Sequence, residues 1–464
     1  MTHPILDFPH HPGPAQADGP LTGLRVLDFT RVIAGRCCSM ALADMGAGVS
    51  KIEAPEGDSF RKYGPPRPEL DNQGAAFLWA NRNKKGIVLD LKSAEGAAVA
   101  RDLIRTADVV IENFSAGVMA RFGLGEDVLR KEQPELIYCA ISAYGQSGPF
   151  ADRLGFDPVV QAESGFMSLN GEADRDGMRT QPVIMDISTG MMATNAILAA
   201  LLSRGVSGKG QRVDVSLYET ALTMLGWAPM QYLVSGTEPG RAGNASADSA
   251  PGGVFHAQDQ PFFLSSPSTT IFQRIARAAG LPEMAEDPEL KDTAKRVARR
   301  QEVESALQEK FSQHPWAHWE PILRANNVPA GLVRTLAQAL HSEVTLASGV
   351  ITGIDHPTAG KVPNIALPLR FSDTPTVAPV AAPTIGADTT EVLLALEGYD
   401  AARLDALARA GAFGPPDHRP EQPGLIRRPE VSPPRKSAGP PPGAFGAGRR
   451  NTAPPPSSAP QPAR

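Results

Sequence analysis

Apolar and polar positions alternate in short blocks through the first half of the chain, and the blocks carry two different periods. Gly23-Leu24-Arg25-Val26-Leu27-Asp28-Phe29 is a brief apolar run bounded by glycine, the pattern of a buried strand. Cys38 to Gly46 then sets Met40, Ala41, Leu42 and Met45 along a helix, and Val49-Ser50-Lys51-Ile52-Glu53 reads as a second strand after Gly46 and Gly48. The alternation continues through a strand over Gly86–Leu91, a helix from Glu95 to Arg105, a strand over Ala107–Asn113 and another over Glu135–Ile141. Repeated strand-helix-strand order predicts an α/β fold with a largely parallel sheet and helices on both faces. Ligands on such sheets sit at the carboxyl ends of the strands.

The texture changes near Gly236. The Gly/Ala/Ser/Pro stretch from Gly240 to Gly253 has few core-forming side chains and reads as a mobile loop, of the kind that closes over a reacting group. Behind it come Val254-Phe255-His256, Pro261-Phe262-Phe263-Leu264 and two helical tracts, Ile271–Ala279 and Val303–Phe311. From Gly349 the pattern returns to short β-like pieces, including Val362 and Leu367–Phe371, followed by one amphipathic helix over Thr389–Ala410. Residues 414–464 hold fifteen of the 44 prolines and show no apolar periodicity, which predicts a disordered tail. The expected organisation is a flexible segment 1–20, a large Rossmann-like α/β domain built from 21–235 and 349–413, a smaller α+β domain over 236–348, and the tail.

With 464 residues the chain is long enough for two cores, and 42% hydrophobic against 20% charged residues is globular composition. A formal net charge of -5 gives no broad positive field, so no nucleic-acid partner is expected. Cys37, Cys38 and Cys139 are too few for a disulfide framework and lack zinc-site spacing, so neither bridges nor a metal is expected and a cytoplasmic location fits. The first twenty residues lack a basic flank before an apolar segment, and Met191–Leu202 falls short of the roughly 20 residues a span needs, so no membrane anchor is expected.

Several common chemistries find no anchor. Met45-Gly46-Ala47-Gly48 has Lys51 where a dinucleotide fingerprint needs its third glycine, and Gly205–Gly210 lacks the hydroxyl after Lys209 that a phosphate loop uses. No G-x-S-x-G elbow or H-E-x-x-H pair occurs.

Three stretches, read together, resemble the family III coenzyme A transferases, the group of formyl-CoA transferase and carnitine CoA-transferase, to which α-methylacyl-CoA racemase is closely related. The first is Leu27-Asp28-Phe29-Thr30-Arg31-Val32-Ile33-Ala34-Gly35 with Lys51–Asp58. The second is Asn81-Arg82-Asn83-Lys84-Lys85-Gly86 through Lys92, then Val110-Ile111-Glu112-Asn113-Phe114. The third runs from Tyr144-Gly145-Gln146-Ser147-Gly148-Pro149 through Gly155-Phe156-Asp157 and Asp186-Ile187-Ser188-Thr189-Gly190 to Gly208–Ser216. The resemblance covers roughly Leu21 to Phe413. It implies an acyl-CoA and a carboxylic acid as substrates, no permanently bound cofactor, and a homodimer of interlocked chains.

It also implies roles for single residues. Asp186 matches the nucleophile, which is acylated by the donor thioester and then carries CoA as an aspartyl thioester. Taken alone, Asp186 reads as a helix N-cap ahead of Ser188-Thr189-Gly190, and amides at that helix start can also serve an oxyanion. Arg31, Val32, Ala34, Leu89, Lys92, Asn113, Phe114 and Arg121 match CoA-contacting positions. Arg36 stands where the family has proline and Ala54 where it often has a phosphate-binding arginine, a loss that Arg31, Arg36 or Lys51 can compensate. The racemases carry histidine at the Phe156 position, and phenylalanine cannot move a proton. Phe156 followed by Asp157 therefore favours CoA transfer over racemisation, with a non-catalytic CoA-binding protein as a third alternative.

Overall fold

The computed structural model describes residues 8–11, 18–246 and 248–415. The first half of the chain runs β1 (Arg25–Asp28), α1 (Ala34–Asp44), β2 (Gly48–Glu53), α2 (Ala75–Asn81), β3 (Lys84–Val88), α3 (Ala94–Ile104), β4 (Val109–Glu112), α4 (Val118–Arg121), α5 (Glu126–Glu132) and β5 (Ile137–Ser142). It continues through α6 (Asp157–Glu163), α7 (Phe166–Leu169), α8 (Ile184–Ser207), β6 (Arg212–Ser216), α9 (Leu217–Met224) and α10 (Ala228–Ser235). The six strands form one parallel sheet in the order β3-β2-β1-β4-β5-β6, with Val26 registered against Val49 on one side and Val109 on the other. The chain therefore reverses its direction of sheet growth between β1 and β4, where open α/β sheets leave a crevice at the strand ends.

Strand side chains alternate between two apolar layers. Leu27, Ile52, Ile87, Val110 and Tyr138 face one layer with Val99 and Leu103 of α3. Val26, Val49, Val109, Ile137 and Cys139 face the other with Leu42 of α1 and Met185 and Ile197 of α8. Leu393, Leu404 and Phe413, far along the chain, complete the first layer.

The strand predicted over Gly86–Leu91 lies at Lys84–Val88, because Leu89–Leu91 already turn away at the sheet edge. The predicted Thr389–Ala410 helix is two, Thr389–Leu394 and Ala401–Arg409, interrupted around Gly398 at φ 76°. Leu367–Phe371 forms no strand. Of the predicted tail, 416–464 lie outside the described residues, as do 1–7 and 12–17 of the N-terminal segment.

A three-stranded antiparallel sheet, β7 (Gly252–His256), β8 (Pro261–Ser265) and β9 (Ala330–Leu332), packs Phe255 and Phe262 against Phe311, Trp316 and Trp319. β10 (Ile351–His356) and β11 (Gly360–Ile365) form an antiparallel pair. The glycine-rich stretch is tied at both ends. Arg241 donates to the carbonyls of Ser168, Glu172 and Arg175, while Arg296 and Arg300 donate to those of Ala250 and Ser249.

The apolar run Met191–Leu202 is only the middle of α8, whose 24 residues make it long and apolar enough to cross a membrane. Half of that stretch is buried. Gly190 permits close packing of α8 on α1: a Cβ there would lie 2.5 Å from the carbonyl oxygen of Ala34 and 2.7 Å from the Cβ of Cys37. The start of α8 is thereby pressed against the start of α1.

Candidate active site

A cavity of about 270 Å³ opens at the carboxyl ends of β1 to β4. Phe29 and Arg31 follow β1, Ala54 to Asp58 follow β2, Leu89 to Lys92 follow β3, and Phe114 follows β4; Phe122 and Pro415 close it. The Arg31 guanidinium lies 5.3 Å from the Phe114 ring centre, and Phe114 meets Phe122 edge-on at 6.4 Å. An aromatic ledge with a guanidinium above it suits a flat heteroaromatic ring carrying phosphate. Asn113 clamps the ledge to β1's turn: its Oδ1 accepts from Arg31 N–H and its Nδ2 donates to Arg31 O, both at 2.7 Å.

The turn after β1 is held from beneath by buried charges. Asp28 accepts from Thr30 N (2.8 Å), Thr30 Oγ1 (2.6 Å), Ser39 Oγ (2.6 Å) and Lys84 Nζ (3.2 Å). Burial alone would raise its pKa, but Lys84, Lys51 and the hydroxyls together hold it well below the usual carboxylate range. Lys51 Nζ donates to Thr30 O at 2.8 Å, and burial pushes its pKa down to about 7. Arg61 grips Glu53 with two hydrogen bonds of 2.9 and 2.6 Å, and Arg36 pairs with Asp58. Val32, on this turn, is β-branched yet sits at φ 62°, a conformation that costs of order 1–3 kcal/mol and persists only where neighbours enforce it.

Asp186 is the third residue of α8, inside its first turn. It is 8% exposed and has no cation in ion-pair range among the described residues. The cap reading is corrected here: the N-cap residue is Val183, without a side-chain bond, and the cap comes from Asp157, 29 residues earlier. Asp157 Oδ2 accepts from Met185 N at 2.7 Å and Asp186 N at 3.2 Å. These amides are therefore engaged, and the predicted help from them to an oxyanion is not available. Gln161, one helical turn along α6, donates to Asp157 Oδ1 at 2.6 Å and accepts from Thr180 N at 2.9 Å. Burial, and then the Asp157 carboxylate, raise the pKa of Asp186 to about 7.

The predicted residues thus divide into two groups. Arg31, Leu89, Lys92 and Phe114 line the cavity, and Asn113 braces it. Ala34 sits against Gly190 on the Asp186 side, and Val32 does not line the cavity. Arg121 is exposed at the end of α4 and does not line the cavity. Asp157 is 1% exposed and acts on α8's backbone, whereas neighbouring Phe156 is 57% exposed. Arg36 and Lys51 are fully buried and committed to Asp58 and Thr30, so neither compensates for Ala54 at the cavity surface. Two contributors went unassigned in sequence reading, Gln161 and Glu112. The i,i+4 spacing of Asp157 and Gln161 is the signal that marks the first of them.

A wider opening of about 760 Å³ lies between Ala242–Asn244 and the helix Arg300–Phe311, lined by Glu172, Glu304 and Glu309. It holds none of the predicted site residues.

The profile of CoA-transferase family III matches residues 21–389. A succinate–glutarate CoA-transferase of Agrobacterium fabrum is 37% identical over 383 residues, covering 82% of this chain and 96% of its own. An acetyl-CoA:oxalate CoA-transferase of Acetobacter aceti is 36% identical, covering 73% and 87%. Among solved structures, a CaiB/BaiF family protein from Brucella suis superposes with a TM-score of 0.74 at 33% identity, covering 82% of this chain and all of that one. The chain belongs to CoA-transferase family III and is an enzyme of that family.

Proposed function

We propose that this enzyme moves CoA from an acyl-CoA to a short dicarboxylic acid by covalent catalysis on Asp186. The observation that carries the reading is a buried carboxylate with no cation partner among the described residues, at a helix start fixed by a second carboxylate. Ionised, such a group is poorly solvated and therefore a strong nucleophile. Its attack on the thioester carbonyl expels the CoA thiolate and leaves a mixed anhydride. The thiolate then attacks the aspartyl carbonyl, releasing the donor acid and giving an aspartyl-CoA thioester. The acceptor carboxylate displaces the thiolate to form a second anhydride, and thiolate attack on its acyl carbon yields the new acyl-CoA and restores Asp186.

The substrate class rests on relatives whose names carry succinate, glutarate, oxalate and D-citramalate, all dicarboxylic acids. CoA is assigned to the ledge of Arg31, Asn113 and Phe114, with Leu89 and Lys92 lining the same cavity. We further propose a homodimer, because Leu202 and Val206 on α8, Leu233 and Val234 on α10, and Trp227 just before α10 leave large apolar side chains exposed. A reducing, cytoplasmic setting is supported by three free, buried cysteines. Mass spectrometry of acyl-CoA products, with succinyl-, acetyl- and formyl-CoA donors against a dicarboxylate panel, tests the reaction, with Asp186→Ala as control. Transfer to at least one dicarboxylate that vanishes in the variant is expected. Transfer undiminished in the variant rejects the mechanism.

A further inference from the structure

β4 ends on Glu112, immediately before the Asn113–Phe114 ledge, and the proposed chemistry gives this acid no task. The side chain is 5% exposed. Its Oε2 accepts from Phe114 N–H at 2.8 Å, and its Oε1 accepts from Gln146 Nε2 at 3.3 Å, so one carboxyl joins the loop after β4 to the loop after β5. No cation lies in ion-pair range among the described residues: Arg212 on β6, two strands away, is occupied by Asp214 at 2.8 Å. Burial drives the Glu112 carboxyl up to about 7, the Phe114 amide offsetting part of that rise.

An unpaired buried acid costs stability that an apolar residue of the same shape would not. Such a residue would, however, leave the Phe114 N–H unmatched and the loop after β5 untethered. Asn113 meanwhile ties the same ledge to Arg31 on β1's turn. The end of β4 is therefore a knot from which two consecutive side chains run to the loops on either side.

Resting on the assignment of CoA to this ledge, we propose that Glu112 is a positioning residue that fixes the Asn113–Phe114 ledge to the loop carrying Gln146, and so sets affinity for the CoA portion of the substrate.

The test combines steady-state kinetics with calorimetric titration of free CoA into wild type, Glu112→Ala and the exchanged double variant E112Q/Q146E. In the exchange, the introduced amide accepts from Phe114 N–H and donates to the introduced carboxylate. Loss of one buried hydrogen-bonded partner predicts that Glu112→Ala raises KM for acyl-CoA and Kd for CoA about 10-fold, with kcat within about 2-fold and KM for the acid unmoved. The exchange is expected to return both constants to within about 3-fold of wild type. An unchanged Kd in Glu112→Ala, or an exchange no better than the alanine variant, overturns the proposal. Should Glu112→Ala fail to fold, the exchanged variant decides alone, near-wild-type Kd supporting the role and a 10-fold rise refuting it. If wild type transfers no CoA, the proposed reaction falls while the CoA titration still judges Glu112.

Discussion

Beneath the cavity, buried carboxylates are matched by cations: Asp28 by Lys84, Glu53 by Arg61 and Asp58 by Arg36. At the start of α8, Asp157 and Asp186 share a dry corner with no such partner among the described residues. The two regions hold similar residues and differ in pairing. Asp28 is held well below the usual carboxylate range, and the matched acids serve as scaffolding for the loops that would grip the nucleotide. The unmatched Asp186 is pushed to a pKa of about 7, where its charge responds to working pH, a perturbation of the kind that marks reactive groups and that fits the nucleophile proposed above.

Four substitutions probe this contrast. Asp186→Asn should lower turnover by on the order of 10⁴-fold, as removal of a covalent nucleophile does, measured with the best donor and acceptor pair. The same change should stabilise the fold at pH 8. A carboxyl whose folded pKa is raised to about 7 opposes folding progressively as pH climbs from about 4 through 7, so removing it gains up to about 4 kcal/mol in urea denaturation at pH 8 and little at pH 4. Lys84→Met should act in the opposite sense, costing about 3–5 kcal/mol because Asp28 is left buried and charged. Asp157→Asn should reduce kcat about 10- to 100-fold through a misplaced helix start. It should also move the acid limb of the kcat/KM profile to lower pH, since the carboxylate that raises Asp186's pKa is gone. Lys85→Ala, which breaks an exposed pair with Glu391, should change stability by no more than about 0.5 kcal/mol in the same denaturation assay.

Five of the six sheet strands are legible because each is a short apolar run, β1 and β2 opened by glycine and β5 following Pro134, whereas β6 (Arg212–Ser216) alternates polar with apolar residues and is not read as a strand. The sequence also led to the cavity, whose walls are the few residues after each strand: Arg31, Leu89, Lys92 and Phe114 all fall there. The partners that tune those groups were not legible. Asp157 caps α8 from 29 residues away, and only the packing of α6 beside α8 brings it there; a local pattern can say no more than that an aspartate near a helix start caps something. Arg36 and Lys51 mislead for the same reason, since a cation looks available in sequence until the fold buries it over Asp58 and Thr30. The break at Gly398 was missed because an amphipathic period on both sides hid a single glycine at positive φ.

The central claim, that Asp186 is acylated, is tested most directly by quenching turnover with hydroxylamine and mapping the modified residue by peptide mass spectrometry. A hydroxamate on the peptide containing Asp186, dependent on acyl-CoA and absent from the Asp186→Asn variant, is the predicted result. Active enzyme that yields an unmodified Asp186 peptide, or a hydroxamate at another acid, would contradict it.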